Sequence, residues 1–343
     1  IGLKATEHVL ADLLVTNLSE GSAQLRGKIP ALLEELQITD RLVMSINGAD
    51  GVEYRLQTRE SSAWYDEYRA QEAEFKAAPQ RVEQKRVDLL KARVGEYMRK
   101  VRAVQGKENI ERSCSVSYDD TLPRDSDKNL YVWVQDGWQS EERSVIAEAS
   151  AKSANNPTIF VFIPAQHKTE LANAIVSLEA AKTTLQRKGR PQPGSEAEDA
   201  MRSIESRQIS SERDLKEQLD LLFAGVRVFQ AGGQEVTEGS ELSDKVNYAA
   251  KVSVARLYNE FGTADQANWG KALEEARKGN QECLKAIAHE REVDQHPVCA
   301  KLLAFIGPGK KGSEIRDNFN DPPYGWSRDA IDGAIYALLV SGH

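Results

Sequence analysis

Four side chains that can bind zinc lie close together near the C-terminal end of the sequence. They are Cys283, His289, His296 and Cys299, within 17 positions. Their spacing, C-x5-H-x6-H-x2-C, lacks the paired short turns by which structural zinc sites hold their metal. A free cysteine also behaves as a small apolar residue inside a helix. We therefore predict that the two cysteines belong to a core and that this segment holds no metal.

Glycines and lysines between Gly307 and Ser313, GPGKKGS, raise the question of phosphate binding. A P-loop has the order G-x-x-x-x-G-K-[S/T] after a strand, so that backbone N–H groups surround a phosphate. Here the order differs, and the segment follows a predicted helix. Asp136 ends the apolar run LYVWVQD like a magnesium-binding aspartate, but without a P-loop we favour a turn-capping role before Gly137. We predict no cofactor and no ATP hydrolysis.

Nucleophilic catalysis has no recognisable motif either. The sequence contains no G-x-S-x-G elbow, and no cysteine or histidine lies in a known catalytic pattern. The acidic residues number 53, but they form no readable catalytic pair. The chain is therefore predicted not to be an enzyme. The alternative is a metal- or nucleotide-dependent enzyme domain.

Positive charge is concentrated at two places in a chain whose net charge is −8. Residues 81–102 carry eight lysines or arginines against three acidic residues. Such a run is usually the solvated face of a helix, but a basic stripe can also contact phosphates. The candidate residues for a weak nucleic-acid contact are Lys85, Arg86, Lys91, Arg93, Lys310, Lys311, Arg316 and Arg328.

The elements that would position any site are organised around a predicted β–α–β unit. Leu130–Val134 and Thr158–Ile163 are short apolar runs rich in β-branched and aromatic residues, which predicts two strands covered on both faces. Ser140–Ser153 between them has helical composition, with Ser140 as the N-cap. A crossover of this length predicts parallel strands in a right-handed unit. The enzyme alternative would be centred on this unit.

Residues 1–60 have the pattern of a winged helix, with three short helices followed by a hairpin around the loop NGADG. A winged helix that reads DNA needs cations on its third helix. Here that helix carries Glu34 and Glu35, and Lys28 is its nearest cation. We therefore expect packing or protein contact from this module before DNA contact.

Three further regions complete a mostly helical α/β fold with winged-helix-like modules at both ends. Residues 61–105 predict a long charged helix, broken near Pro79, whose seam could mediate oligomerisation. Residues 106–240 predict the α/β core, opening with an irregular segment and closing with a hairpin at Gly232–Gly233. Residues 241–343 predict a helical domain that ends in a helix–turn–helix. The apolar seam residues are Val87, Leu90, Val94, Tyr97, Val101 and Val104.

The final helix–turn–helix offers a second predicted contact surface. Its turn contains Tyr324 and Trp326, aromatic residues that we predict to contact a partner weakly. Ser327 is the predicted cap of the last helix. The predicted outer face of that helix presents Asp329 and Asp332, which repel phosphate, so a protein partner is favoured there over DNA.

Composition places the chain among ordinary globular proteins of two or three domains. Apolar residues make up 40% and charged residues 29% of 343 positions. No apolar run approaches the roughly 20 residues of a membrane helix, and three scattered cysteines predict a reducing cytoplasm. The chain opens at Ile1 instead of methionine, which we interpret as a piece of a larger protein.

Four strings carry a resemblance to a known family. NLYVWVQDGW, NNPTIFVFIP, VFQAGGQEV and, most specifically, KKGSEIRDNFNDPPYGWSRDAIDGAIYALLVSGH resemble the BrxC family. These are large P-loop proteins of the BREX (bacteriophage exclusion) systems, related to PglY of phage growth limitation. The resemblance implies a cytoplasmic component of a phage-defence assembly that works with a DNA methyltransferase. It also implies an ATPase parent, but the P-loop is absent here. The expected function is therefore a non-catalytic scaffold that contacts partner proteins, with DNA as a second candidate contact.

Overall fold

The chain folds as a mostly helical α/β protein, as predicted. The computed structural model describes residues 4–16, 22–38, 43–48, 51–56, 58–126, 128–307 and 309–343. It is 59% helical, with twelve α-helices and small sheets in this described part. None of these helices is long and apolar enough to cross a membrane.

The elements follow in chain order. The helices are α1 (Glu7–Leu13), α2 (Ala23–Ile38), α3 (Arg59–Lys76), α4 (Pro79–Met98), α5 (Glu142–Ala151), α6 (Lys168–Lys188), α7 (Glu196–Ala224), α8 (Leu242–Leu257), α9 (Trp269–Arg277), α10 (Pro297–Ile306), α11 (Gly312–Asn320) and α12 (Arg328–Ser341). The strands are β1 (Val43–Gly48), β2 (Gly51–Leu56), β3 (Val104–Gln105), β4 (Ile110–Glu111), β5 (Ser115–Ser117), β6 (Tyr131–Asp136), β7 (Ile159–Ile163) and β8 (Arg227–Gln230). Short 3-10 helices span Phe261–Ala264, Cys283–Ile287 and Val293–Gln295.

These elements form two compact units, and each unit is built from two separate segments of the chain. Unit 1 contains Ile1–Arg93 and His167–Leu221. Unit 2 contains Val94–Gln166 and Leu222–His343. The predicted boundaries after residues 60, 105 and 240 do not coincide with these units. Composition along the chain cannot reveal that α6 and α7 pack with elements near the N-terminus.

In unit 1, the N-terminal module consists of two helices and an antiparallel hairpin. Where the pattern predicts a second and a third short helix, the structure has one continuous helix, α2, with Pro30 in its interior. An interior proline costs about 3 kcal/mol, and burial of Ile29 and Leu33 on the same helix offsets that cost. The described residues therefore give two helices where the winged-helix pattern needs three. Leu18 of the first predicted helix and the loop at 49–50 lie outside the described residues.

The long helical tract is interrupted where the proline predicted it. Helix α3 ends at Lys76, and Pro79 is the first residue of α4, where its missing N–H costs nothing. Helix α4 ends at Met98, so two predicted seam residues near its end, Val101 and Val104, are not helical. Leu90 and Val94 of the predicted seam are buried within the chain. Two of the six seam residues are thus covered within the chain, and oligomerisation through this tract stays a prediction.

Aromatic residues of α3 anchor the rest of unit 1. Trp64, Tyr65 and Tyr68 are buried among small and branched residues of α6 and α7. The small side chains of Ala180 and Ala181 allow α3 and α6 to approach closely. The remaining members of this core are Met44, Ile46, Ala200 and Ile204.

Unit 2 contains the predicted β–α–β unit within a four-stranded sheet of order β5-β6-β7-β8. Strands β5, β6 and β7 run parallel, and β8 is antiparallel to β7. All five residues of β7 are buried, so both of its faces are covered, as the unbroken apolar run predicted. Helix α5 covers one face through Val145 and Ala149. Its N-cap is Glu141, not Ser140, because the Ser140 hydroxyl donates instead to Gln135 Oε1, at 2.9 Å.

The segment that opens region 106–240 was predicted to be irregular, but it contains β4 and the edge strand β5, and β3 lies immediately before it. These strands are too short to give a periodic signal. The predicted turn at Gly232–Gly233 is present, and both glycines have positive φ. After the turn, Glu235 bridges back to Phe229 of β8.

The C-terminal part of unit 2 packs four helices around two buried tryptophans, Trp269 and Trp326. Helix α9 ends at Arg277, and Gly279 follows with φ +82°. The predicted cap of α12 is confirmed, because the Ser327 side chain accepts a hydrogen bond from the Ala330 N–H, at 3.2 Å.

Candidate interaction surface

The predicted basic contacts on α4 are largely neutralised by carboxylates. Lys85 Nζ lies 2.8 Å from Glu179 Oε2 on α6. Arg93 donates to Asp220 of α7. Arg86 lies 3.4 Å from Glu83 on its own helix, and Lys91 is exposed. Paired cations attract phosphate less, because each carboxylate opposes the field that DNA would feel.

The four remaining predicted basic residues belong to unit 2, so the set is divided between the two units. Lys310 lies over the ring of Phe305, at 4.5 Å from its centroid. The Lys311 N–H donates to the Glu314 carboxylate at the start of α11, at 3.4 Å. Arg328 is exposed at the start of α12.

Arg316, the last of the predicted DNA contacts, is held by Asp332. Its Nε and Nη2 donate to the two carboxylate oxygens, at 2.7 and 3.1 Å. The Asp332 carboxylate raises the pKa of Arg316 through these hydrogen bonds. The prediction that Asp332 lies on the outer face of α12 is wrong, since this residue is buried. Asp329 is exposed, as predicted.

Trp326 is not available to a partner, which corrects its predicted role. Its side chain is 0% exposed and stacks on Phe319, with centroids 4.7 Å apart. Its indole N–H donates to the Glu260 carbonyl, at 3.1 Å. Tyr324 is half-buried and packs against the same phenylalanine at 4.7 Å. The aromatic turn is therefore part of the core of this unit.

Acidic residues at the carboxyl ends of the parallel strands are engaged in their own turns. Asp136 Oδ1 accepts a hydrogen bond from the Trp138 N–H, at 2.9 Å, which is the turn-capping role predicted for it. Asp119 accepts one from the Ser117 hydroxyl, at 3.0 Å. The described part of the chain contains no group of three or more His, Cys, Asp or Glu residues that could hold a metal. Asp136 and Asp119 therefore serve their own turns, and the enzyme alternative stays untested.

The cysteines and histidines considered for zinc have packing roles. Cys283 and Cys299 are buried, and burial raises the pKa of the Cys299 thiol to about 12. His296 is the N-cap of α10, where its Nδ1 accepts from the Val298 N–H, at 3.3 Å. Its Nε2 faces Gln266 Oε1, also at 3.3 Å. Burial, with a contribution from nearby His289, lowers the pKa of His296 to about 4.

The structure contains one surface that the sequence did not predict. It is an apolar groove in the N-terminal module, between α1, α2 and the hairpin. We call it the α1–α2 groove. It encloses about 360 Å³. Its lining residues are Ala5, Leu10, Leu14, Ile29, Leu32, Leu33, Leu36, Val43, Tyr54, Arg55 and Leu56.

Several leucines of the groove are exposed to solvent. Leu14 is 56%, Leu32 53% and Leu56 75% exposed. Burying apolar area stabilises by about 25 cal/mol per Å², and soluble proteins rarely leave contiguous apolar patches uncovered without a binding role. Ile29 and Leu33 are buried and pack against Ala11, so the floor of the groove belongs to a core. The groove is therefore a preformed apolar surface.

Polar contacts connect the groove's walls. Arg26 of α2 lies 2.9 Å from Asp12 of α1. The Tyr54 hydroxyl of β2 donates to Glu7 of α1, at 2.8 Å. Burial and the Glu7 carboxylate raise the pKa of Tyr54 to about 12, so this donor keeps its proton. These contacts join α1 to α2 and to the hairpin around the groove.

Sequence reasoning missed the groove, although its signal was present. The leucines at positions 10, 13, 14 and 18 recur at the spacing of one face of a helix. The apolar residues of α2 recur at three- and four-residue intervals, which also predicts a buried face. Periodicity cannot distinguish a face covered by its own chain from one left for another molecule.

Comparison with protein-family models, with curated proteins and with solved structures finds no match to this chain.

Proposed function

We propose that this chain is a non-catalytic interaction region of a BrxC-like phage-defence protein. Its α1–α2 groove binds a protein component of the same defence system, with the DNA methyltransferase as the first candidate. The observation that carries this proposal is the exposed apolar lining of a groove whose elements are joined by polar contacts. The resemblance of four sequence strings to the BrxC family supplies the biological setting and the cytoplasmic location.

Direct DNA contact is a secondary part of the proposal. The ion pairs of Lys85, Arg93 and Arg316 with carboxylates argue against strong phosphate binding by the predicted basic residues. A weak contact through the exposed Arg328 is compatible with a scaffold whose main ligand is a protein.

A pull-down tests the protein contact. The tagged chain is mixed with each purified neighbouring defence component, with and without DNA. The Leu32→Asp variant places a charge in the groove without removing a buried side chain. The matched control is Ile209→Asp on α7, because Ile209 is 62% exposed and does not line the groove. Circular dichroism confirms that both variants are folded.

We expect at least one component to be retained by the original chain and by Ile209→Asp, and to be lost from Leu32→Asp. Retention that is equal for all three proteins would show that the groove is not the contact surface. If no component is retained with or without DNA, the proposed function is wrong.

A further inference from the structure

Resting on the proposed function, we infer that the partner places an amphipathic α-helix in the α1–α2 groove, with two bulky apolar side chains one helical turn apart. The alternatives are a second copy of this chain and an extended strand. The shape, the hydrogen bonding, the size and the charges of the groove each bear on the choice.

The shape of the groove disfavours a second copy. Leu14, the C-cap of α1, and Leu32 of α2 line the groove and are more than half exposed, whereas Ile29 and Leu33 line it and are buried. A second copy that docked groove to groove by two-fold symmetry would bring the same concave surface to this position. Two concave surfaces leave a void, and the atoms that line a void lose their contacts. The occupant must therefore be convex.

The hydrogen bonding of the hairpin disfavours an added strand. One edge of β2 pairs with β1 over its whole length, from Gly48↔Gly51 to Val43↔Leu56. On the other edge, the Tyr54 N–H already donates to the Ala5 carbonyl, at 2.9 Å. Strand addition needs a continuous row of unpaired backbone groups, and β2 does not offer one.

The apolar stripe that α2 contributes to the groove is long enough for two anchors of a bound helix. Ile29, Leu32, Leu33 and Leu36 recur at i, i+3, i+4 and i+7, and this stripe is about 10 Å long at 1.5 Å per residue. A helix bound in a groove carries its own anchors at i, i+3, i+4 and i+7, and two anchors one turn apart span about 5 Å, which fits within the length of this stripe. The volume of about 360 Å³ is roughly twice the ~150 Å³ cavity that one large apolar side chain can leave. Two bulky anchors fill it.

Charges beside the stripe predict the orientation of the bound helix. Lys28 and Glu35 are both exposed, and they lie seven positions apart on the side of α2 next to Leu32. Two turns of a helix separate such residues by about 10 Å. A partner helix with an acidic residue near Lys28 and a basic residue near Glu35 is complementary to this pair.

A peptide selection tests the inference without any defence protein. A display library of random 16-residue peptides is selected on the intact chain, and the enriched peptides are synthesised. We expect two large apolar residues at i, i+3 or i, i+4, and helical circular dichroism on binding. Affinity should fall at least tenfold for Leu32→Asp and stay unchanged for Ile209→Asp. Selection on Glu35→Lys should replace the flanking basic residue with an acidic one.

Peptides with alternating apolar residues, peptides bound equally by Leu32→Asp, or no enrichment at all would overturn the helical occupant. These outcomes are independent of the pull-down. Selected helical peptides together with a failed pull-down would reject the defence partner and keep the groove's preference. A successful pull-down without such peptides would keep the defence partner and reject the helical occupant.

Discussion

The guanidinium of Arg316 and the carboxylate of Asp332 form a two-point ion pair between α11 and α12. Asp332 is 8% exposed, so the arginine supplies the positive charge that a nearly buried carboxylate requires. Arg316 thus belongs to the internal structure of unit 2, although it resembles a phosphate contact in the sequence.

Replacing Arg316 by alanine should therefore destabilise the protein. The Asp332 carboxylate would lose both hydrogen bonds, at a cost of about 1 kcal/mol after allowance for the partial exposure of the arginine. Urea unfolding measures the change. Arg328→Ala is the matched control, because Arg328 is exposed on the adjoining helix, and it should leave the unfolding free energy within about 0.5 kcal/mol. Equal stability of the two variants would contradict the structural role.

Trp326→Ala should lower the free energy of unfolding by about 3–5 kcal/mol, the usual cost of removing a large buried aromatic side chain. The indole is fully buried, stacks on Phe319 and donates to Glu260. Thermal melting followed by circular dichroism is the measurement. Leu339→Ala on α12 is the control, since Leu339 is 63% exposed. A melting temperature unchanged by Trp326→Ala would show that the turn does not pack as described.

Stability should depend on pH through His296. Its folded-state pKa is about 4, below the value of about 6.5 expected in the unfolded chain. As the pH falls, the unfolded state therefore binds a proton at His296 before the folded state does. The stabilising contribution is complete above about pH 6.5, and up to about 3 kcal/mol is lost as the pH falls towards 4.

His296→Gln should flatten this dependence, because glutamine does not titrate. Urea unfolding at several pH values between about 4 and about 7 compares the two proteins, since carboxylates elsewhere titrate in both. His289 also remains in both proteins, so the difference isolates His296. Parallel stability curves would mean that His296 does not set the acid sensitivity.

DNA binding, where it is detected, should be weak and strongly dependent on salt. Counterion release makes affinity fall steeply between about 50 and about 200 mM salt. Charge reversal at Lys91 and Arg328 should weaken binding, whereas Glu179→Gln should strengthen it by releasing Lys85. Gel-shift titrations at several salt concentrations provide the measurement. Affinity that is indifferent to salt and to these substitutions would contradict a phosphate contact.

The chain should bind no ATP at micromolar concentrations. The GPGKKGS segment lacks the P-loop order, and Asp136 is engaged with its own turn. Isothermal calorimetry with MgATP is the direct measurement. Saturable heat of binding would reveal a phosphate site that the sequence motifs do not describe.

Local patterns predicted local structure well. The apolar runs gave β6 and β7, Pro79 gave the break before α4, and Ser327 gave the cap of α12. Each of these depends on residues close together in the chain. Propensity and capping act over a few positions, so the sequence alone contains the necessary information.

Long-range relationships were not predictable in the same way. The pairing of Arg316 with Asp332 and the burial of Trp326 depend on how α11 and α12 pack. The groove depends on which leucines α1, α2 and the hairpin leave uncovered. A single sequence gives the type and the spacing of these residues but not their neighbours, and exposure is a property of neighbours.

The two-segment construction of unit 1 has a consequence for synthesis on the ribosome. Trp64, Tyr65 and Tyr68 of α3 are buried by residues of α6 and α7, which are translated only after the whole β5–β7 region. Until then, the nascent chain offers this aromatic surface only Met44 and Ile46 of β1 from the finished core, and the residues that α6 and α7 contribute are missing. Unit 1 cannot finish folding in the order of translation. A ribosome that stalls between α4 and α6 would therefore leave the aromatic face of α3 partly exposed to solvent. Chaperones bind exposed apolar surfaces of this kind.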